Sequence, residues 1–211
     1  MIVPTVDLRP DLLPIRHQRR RQSCLAFASS TAHEHQARPG EHFSVEFLFY
    51  HAVARTPGSD PSAGTTMAAT ASALADAGQP VETAWPYSPI QVAPWAPPAV
   101  TTTLHKATIV PGKFIFGDII AALDQGRPII LGLVITDAFY RPDVFGRVRD
   151  ENPDTERGGH AVLAIGHNVG AGGTPALLIR NSWGESWGLG GYAWLSRAYV
   201  DRQLHETAVL T

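Results

Sequence analysis

The chain has 211 residues, 44% of them hydrophobic, and a formal net charge of −2 at pH 7. That is enough apolar material for a full core, in one domain or in two tightly packed lobes. The balanced charge argues against a nucleic-acid-binding protein, and no apolar run approaches the roughly 18 residues that a membrane span needs. The N-terminus has no basic segment followed by an apolar one, so no signal peptide is predicted.

The first half of the chain predicts three helices. The first begins at Cys24, with Ser23 as its N-cap, and ends before Pro39. The second follows Ser44, because its apolar residues recur at i, i+3, i+4 and i+7, which is one face of a helix. The third covers residues 66–77 and is ended by a glycine. Helices therefore dominate the first half.

The second half predicts strands after a long connector. Residues 79–103 are rich in Pro, Trp and Thr, and we expect an ordered surface connector because exposed tryptophan is unfavourable in water. Asp118 is expected to cap a short helix over 119–125. Strands separated by glycine-rich turns are predicted at 129–135, 160–165, 176–181 and 191–196. Helices first and strands afterwards predict an α+β protein with a helical lobe, a sheet or barrel lobe and a cleft between them.

Four polar residues together predict nucleophilic chemistry. Cys24 is the only cysteine, and the start of a helix favours its thiolate. His160 begins a predicted strand among small neighbours and could take the thiol proton, while Asn181 ends another strand and can accept the imidazole N–H. Gln18 and the Cys24 backbone N–H could donate to an oxyanion. We therefore expect acyl transfer from an amide or ester carbonyl through an acyl-thioester.

Each of these signals is weak when it stands alone. A lone cysteine at a helix start is more often a small buried hydrophobic residue, and a histidine at a strand start is usually structural. The chain order and spacing of the four residues favour the catalytic interpretation. The pair His33 and His35 looks like a metal site, but residues two apart on a helix do not face each other. No metal site and no cofactor is predicted.

Three segments resemble the papain-like cysteine peptidases, family C1. They are Gln18-x5-Cys-x-Ala-Phe-Ala28, Gly159-His-Ala-Val162 and Ile179-Arg-Asn-Ser-Trp-Gly-Glu-Ser-Trp-Gly-Leu-Gly-Gly-Tyr192, the last being the most specific. Cys24 precedes His160 by 136 residues and Asn181 by 157, near the about 130–150 typical of papain and cathepsins. Val6-Asp-Leu-Arg9 and Trp85-Pro-Tyr87 are smaller matches, so the resemblance covers nearly the whole chain.

The resemblance implies a papain-like fold of one catalytic domain, residues 1–211. Its mainly helical lobe would be residues 11–104, and its β-barrel-like lobe residues 105–211 together with 1–10. It implies that Cys24 is the nucleophile, His160 the base and acid, Asn181 the residue that orients the histidine, and Gln18 an oxyanion donor. The substrate-binding residues that it implies are Gly64, Thr65, Leu133, Gly158, Gly159, Ala161 and Trp183, of which Trp183 would cover the His–Asn hydrogen bond.

The chain departs from the family at two positions near the nucleophile. Arg19 and Gln22 stand where the family usually has glycine, which often adopts a positive φ. We therefore expect the loop before Cys24 to differ in shape. Arg16 and Arg19–Arg21 form a short basic run, typical of solvated loop charge. If the fold is papain-like, these arginines would rim the cleft and could favour acidic or phosphorylated substrates.

The interpretation that follows is a bacterial, cytoplasmic thiol peptidase of narrow specificity, or a processing protease, acting on a peptide or protein substrate. A single cysteine cannot form an internal disulfide, which is typical of a reducing compartment, and only 23 residues precede Cys24, so no propeptide is expected. No nucleic acid or membrane partner is predicted, and the oligomeric state stays open. Two alternatives remain: an acyltransferase or cyclase using the same site, and a catalytically silent papain-like binding domain.

Overall fold

The computed structural model describes residues 2–150, 153–170 and 173–211. Its first half contains three helices, α1 (Cys24–Ala37), α2 (Val45–Arg55) and α3 (Met67–Asp76). The sequence-based prediction of these helices is confirmed. At the start of α2, Ser44 Oγ accepts the Phe47 N–H at 3.1 Å, and Thr66 caps α3 in the same way.

The second half forms one antiparallel sheet. Its strand order is β2-β7-β3-β4-β5-β6, and β1 pairs with β4. The strands are β1 (Val6–Asp7), β2 (Ile109–Gly112), β3 (Ile129–Thr136), β4 (Glu156–His167), β5 (Ala176–Arg180), β6 (Tyr192–Ser196) and β7 (Leu204–Leu210). Three further helices connect them, α4 (Phe116–Asp124), α5 (Asp137–Tyr140) and α6 (Arg197–Gln203). No helix in the described part of the chain has the length and apolar content to cross a membrane.

Two predicted boundaries were wrong. The helix expected to begin after Asp118 starts at Phe116, and the Asp118 carboxylate lies inside it, accepting the Ile115 N–H at 3.0 Å. Strand β4 begins four residues before its predicted start, because Gly158 and Gly159 pair with Ile135 and Val134 of β3. Glycines have low strand propensity, so only this pairing makes the segment a strand.

Helix α1 lies at the centre of the molecule. Its residues from Leu25 to Glu34 are all buried, which is the pattern of a helix enclosed on every side. It packs against β3 and β4 of the sheet and against α2 and α3. Small residues such as Ala28 and Ala32 permit this close approach. The packing places the first residue of α1, Cys24, beside the middle of β4.

The connector over residues 79–103 is ordered, as expected. Its aromatic residues are half-buried, and Trp95 packs on Phe49 of α2 with ring centroids 5.6 Å apart. Glu46 of α2 accepts the indole N–H of Trp95 at 2.6 Å and pairs with Arg21 at 2.5 Å. The connector is thereby tied both to α2 and to the loop that precedes Cys24.

The basic run is not a solvated patch. The side chain of Arg16 is 14% exposed and pairs with Glu34 at 2.8 Å, and that of Arg21 is 9% exposed and pairs with Glu46. Only Arg19 and Arg20 are exposed. The expectation that all four arginines rim the cleft is therefore wrong for Arg16 and Arg21, because a helix carboxylate neutralises each of them inside the fold.

Replacing Glu46 with Gln tests the buried ion pair. Breaking such a pair leaves the buried Arg21 charge without a carboxylate, although it still donates to the Ser88 carbonyl at 2.8 Å. We expect the free energy of unfolding to fall by about 3–5 kcal/mol, measured by urea denaturation. In Asp76→Asn, which removes the surface pair of Arg55 and Asp76 at 3.6 Å, the loss should stay below about 1 kcal/mol. Equal losses in the two variants would contradict the structural role of Glu46.

Candidate functional site

The hydrogen bond between His160 and Asn181 fixes the state of the imidazole. His160 lies in β4 and Asn181 directly follows β5, and the His160 Nε2 to Asn181 Oδ1 distance is 2.8 Å. Asn181 Oδ1 also accepts the Ser182 backbone N–H at 2.8 Å, so this atom of the amide is the oxygen. His160 Nε2 must therefore be the donor, which leaves Nδ1 with a free lone pair.

Aromatic rings enclose this imidazole. Trp183 lies 4.7 Å from the His160 ring, centroid to centroid, and Phe139 lies 5.8 Å from it. His160 is 6% exposed and Asn181 is 3% exposed. Burial lowers the pKa of His160 to about 4, although the Asn181 hydrogen bond acts in the opposite direction. The ring is therefore neutral near pH 7 when no negative charge lies beside it.

Cys24 opens α1 and is a free, half-buried thiol. Cys24 and His160 line the same cavity, whose volume is about 300 Å³. Burial raises the pKa of the Cys24 thiol, while the backbone N–H groups of Ala161 and Leu25 lower it. The effect of the helix start that the sequence predicted is thus present but is outweighed by burial. Thiolate and imidazolium are each unfavourable alone, so the two groups gain charge most easily together.

The cavity brings together most of the predicted site residues but not all of them. Of the predicted residues, those lining it are Cys24, Gly64, Thr65, Leu133, Gly159, His160 and Ala161. Four predicted residues lie outside its lining. Asn181 and Trp183 pack against His160, and Gly158 is an exposed residue of β4 beside Gly159. Gln18 belongs to the loop before Cys24.

Gln18 is held rigidly by its own hydrogen bonds. Its Oε1 accepts the Ser182 hydroxyl at 2.6 Å, and its Nε2 donates to the Arg21 carbonyl at 2.9 Å. The side chain is 5% exposed. An amide nitrogen carries two hydrogens, so one N–H remains after the bond to Arg21. The Arg21 carbonyl sets the orientation of the amide because it can only accept a hydrogen bond, and Ser182, next to Asn181, then supplies the donor to the amide oxygen.

The loop between Gln18 and Cys24 shows how the two glycine positions are filled. Arg19 has a φ of +57°, the left-handed conformation that glycine favours, and its N–H donates to His17 Nδ1 at 2.9 Å. This conformation costs roughly 1–3 kcal/mol for a residue other than glycine. Gln22 has no positive φ and lines the cavity. The departure at Arg19 therefore costs free energy while the glycine-type backbone is kept.

Tyr87 of the connector holds this loop in place. Its hydroxyl donates to the Gln18 carbonyl at 2.7 Å and lies 2.8 Å from Ser23 Oγ. Ser23 therefore bonds to Tyr87 and makes no side-chain cap for α1. The sequence match at Trp85-Pro-Tyr87 marked this residue, but only the structure shows that it contacts the loop.

Sequence reasoning missed part of the cavity wall. His205 and Glu206 of β7 line it together with Gly132 of β3. A Cβ atom at Gly132 would lie 2.6 Å from Glu206 Cγ, so the glycine makes room for this carboxylate side chain. These two residues could have been found only by predicting β7 as a strand, which the sequence analysis did not do. They enter the site because β7 pairs with β3.

Comparison with known proteins places the chain in a family. The family model described as "Papain family cysteine protease" matches residues 2–210, and the chain belongs to this family. A peptidase C1-like protein of Acanthamoeba polyphaga mimivirus is 39% identical over 82 residues, which are 37% of this chain and 25% of that protein. Mouse cathepsin K is 50% identical over 59 residues, which are 28% of this chain and 17% of cathepsin K. The matches therefore span a quarter or less of these relatives.

The fold is similar to that of solved cysteine proteases. Xylellain, a cysteine protease from Xylella fastidiosa, superposes with a TM-score of 0.85 at 23% identity, over 100% of this chain and 87% of that one. The mite allergen structure of Blo t 1 and Der p 1 gives a TM-score of 0.73 at 19% identity, covering 99% of this chain and 71% of that one. The predicted α+β, papain-like fold is confirmed.

The low pKa of His160 predicts a loss of stability in acid. The unfolded chain binds a proton near pH 6.5 and the folded chain only near pH 4, so stability falls as the pH drops through this window. Between pH 7 and pH 5 we expect His160 to account for about 2 kcal/mol of the loss. Urea denaturation of wild type and His160→Gln at both pH values measures it. Equal losses in both proteins would mean that folding does not lower the pKa of His160.

Replacing Tyr87 with Phe removes one hydroxyl and tests the anchoring of the loop. We expect faster amide hydrogen exchange over residues 18–24 and a stability loss of about 1 kcal/mol, because the Gln18 carbonyl loses its donor. Tyr50→Phe is the matched control, since the Tyr50 hydroxyl makes no hydrogen bond to any of the residues that the structure describes. Unchanged exchange in Tyr87→Phe would show that the loop is held by other contacts.

Proposed function

We propose that this protein is a thiol peptidase that cleaves peptide bonds through an acyl-thioester at Cys24. The observation that carries the proposal is that Asn181 Oδ1 accepts hydrogen bonds from both His160 Nε2 and the Ser182 N–H. His160 Nε2 is therefore the donor, and His160 Nδ1 is left as an acceptor. That acceptor belongs to a residue lining the same cavity as the thiol. A neutral base beside a thiol is the arrangement that nucleophilic catalysis requires.

The proposed reaction begins with proton transfer. His160 Nδ1 takes the Cys24 proton as the sulfur attacks the carbonyl carbon of the scissile bond. The resulting oxyanion accepts hydrogen bonds from the Cys24 backbone N–H and from the remaining N–H of Gln18 Nε2. The imidazolium then gives its proton to the leaving amine, the carbon–nitrogen bond breaks, and an acyl-thioester forms.

Hydrolysis restores the enzyme. Water attacks the thioester carbonyl while His160 accepts one of its protons, the carbon–sulfur bond breaks, and the thiolate recovers the proton from the imidazolium. The released product is a carboxylic acid. Asn181 keeps the imidazole in the orientation that both steps need, and the surrounding rings of Trp183 and Phe139 keep water from competing for that hydrogen bond.

The burial of both groups suits this sequence of events. A His160 pKa of about 4 keeps the base neutral over a wide pH range. Because thiolate and imidazolium arise in the same step, each stabilises the other in a site with little water. The free energy that burial costs either charge alone is then partly offset by their mutual attraction.

The setting of the enzyme belongs to the same proposal. We place it in the cytoplasm of a bacterium, because its single cysteine needs no oxidising compartment and its composition is rich in Ala, Pro, Gly and Arg. A narrow substrate range is supported by the side chain of Gln22, which lies in the cavity wall that also includes Gly64. A peptide or protein is the substrate class, and no cofactor is required for this chemistry.

The pH dependence of Cys24 alkylation tests the proposed pair. At pH 5.5 an ordinary thiol with a pKa near 8.5 is only about 0.1% thiolate. With His160 as its base, we expect iodoacetamide to modify wild-type Cys24 at least about a hundredfold faster than in His160→Ala. Ordinary thiol titration near pH 8–9 in both proteins would support a catalytically silent domain instead.

Product analysis then decides between hydrolysis and transfer. Peptide cleavage that depends on Cys24, with a free carboxylate as the product even when an amine is added, supports the peptidase. Formation of an amide with the added amine as the main product would identify an acyltransferase. Loss of cleavage in Cys24→Ala and its retention in Tyr50→Phe serve as the paired controls.

A further inference from the structure

A rigid turn beside the site exposes two hydrophobic residues. Asp143 organises the turn: its Oδ1 accepts the N–H groups of Phe145 and Arg147, each at 2.9 Å, and its Oδ2 accepts Arg147 Nε at 2.8 Å. The Asp143 N–H also donates to the Arg147 carbonyl at 2.9 Å. Two further backbone bonds join the turn to Trp194 of β6. The turn is thus fixed from inside and from the sheet.

The tip of this turn is apolar where turns are usually polar. Val144 is 84% exposed and Phe145 is 49% exposed, and Tyr140 and Leu189 nearby are 48% and 43% exposed. These four residues, which we term the apolar platform, are four of the ten large exposed hydrophobic residues in the described part of the chain. Clustering of this kind on a turn held by hydrogen bonds is typical of an interaction site.

The apolar platform is continuous with the candidate active site. The ring of Trp183 lies on His160, and Tyr140 stacks on Trp183 with centroids 5.1 Å apart and an interplanar angle of 26°. Tyr140, Val144 and Trp183 line one open depression, whose wall also includes Arg141, Asp143 and Ser186. Leu189 packs against the turn, since a Cβ at Gly146 would lie 2.7 Å from its Cγ.

The direction of the reaction determines which part of a substrate reaches this surface. In the proposed reaction the leaving amine takes its proton from His160, so the chain that follows the cleaved bond departs across the histidine. Trp183 covers that side, and Tyr140 comes next. Because an extended chain advances roughly 3.3 Å per residue, Tyr140 is reached by about the third residue after the cleaved bond.

We infer that the apolar platform binds the segment of a peptide substrate that follows the cleaved bond and selects apolar side chains at its second to fourth residues. The inference rests on the proposed peptidase function. Its chemistry is burial of apolar surface on both partners, which needs no change in the turn because the hydrogen bonds of Asp143 already hold it in place.

Two kinds of substrate separate this inference from the proposed function. The first is a short peptide whose carboxyl end carries a small chromogenic amine as the leaving group, so that no residue extends to the second or later positions after the cleaved bond. The second is a pair of internally quenched peptides with the same sequence before the bond, followed at positions two to four by Leu and Phe in one and by Ser and Gly in the other. The sequence before the bond is taken from the best-cleaved member of a randomised library.

The double variant Val144→Ser, Phe145→Ser is the main test. We expect wild type to prefer the apolar peptide by about tenfold or more in kcat/KM, an effect of the size expected for burying one or two apolar side chains. In the double variant this ratio should fall to about one, while the rate on the short substrate stays unchanged. Ile90→Ser, Val92→Ser, which changes two residues of the connector that are 72% and 65% exposed, should keep the wild-type ratio.

Three results would overturn the inference. They are an unchanged ratio in the double variant, equal loss on the short substrate, and a change from dimer to monomer in gel filtration, which would mean that a second copy of the chain covers the platform. If wild type does not cleave the short substrate, the proposed function fails instead. Calorimetric binding of the apolar and polar product peptides to wild type and to the double variant then decides whether the platform binds peptides.

Discussion

The hydrogen bond from His160 Nε2 to Asn181 Oδ1 is the interaction on which the site depends. It joins β4 to the residue after β5, so its length is set by the register of two paired strands. The Ser182 N–H fixes the amide oxygen, and the Ser182 hydroxyl fixes Gln18. Three consecutive residues, Asn181 to Trp183, thus orient the proposed base, hold the proposed oxyanion donor and enclose the imidazole.

The loop before Cys24 is stabilised from outside, by the connector. Arg19 occupies a left-handed conformation without the freedom of glycine, and its neighbours in the loop are held by contacts to the connector and to α2. Tyr87 bonds to the Gln18 carbonyl, and Arg21 is held by Glu46, whose other oxygen accepts the Trp95 indole N–H. A segment that looks like a surface loop in sequence therefore helps to hold the loop that precedes Cys24.

The site combines two buried titratable groups with a different surface on each side of His160. Burial disfavours the charged form of both Cys24 and His160. Two different surfaces lie around these groups. The cavity with Gly64, Leu133 and Glu206 lies on one side of His160, and the apolar platform lies on the other side, beyond Trp183.

The sequence by itself determined the three helices, the main strands, the family resemblance and the residues Cys24, His160, Asn181 and Gln18, because periodicity and local motifs carry that information. It did not reveal β7, Glu206, Phe139, the role of Tyr87 or the burial of Arg16 and Arg21. These depend on contacts between residues far apart in the chain, such as β7 with β3 and Arg21 with Glu46. Only the tertiary structure decided the direction in which the thiol pKa shifts, since burial outweighs the helix start, and burial is a property of the packed core.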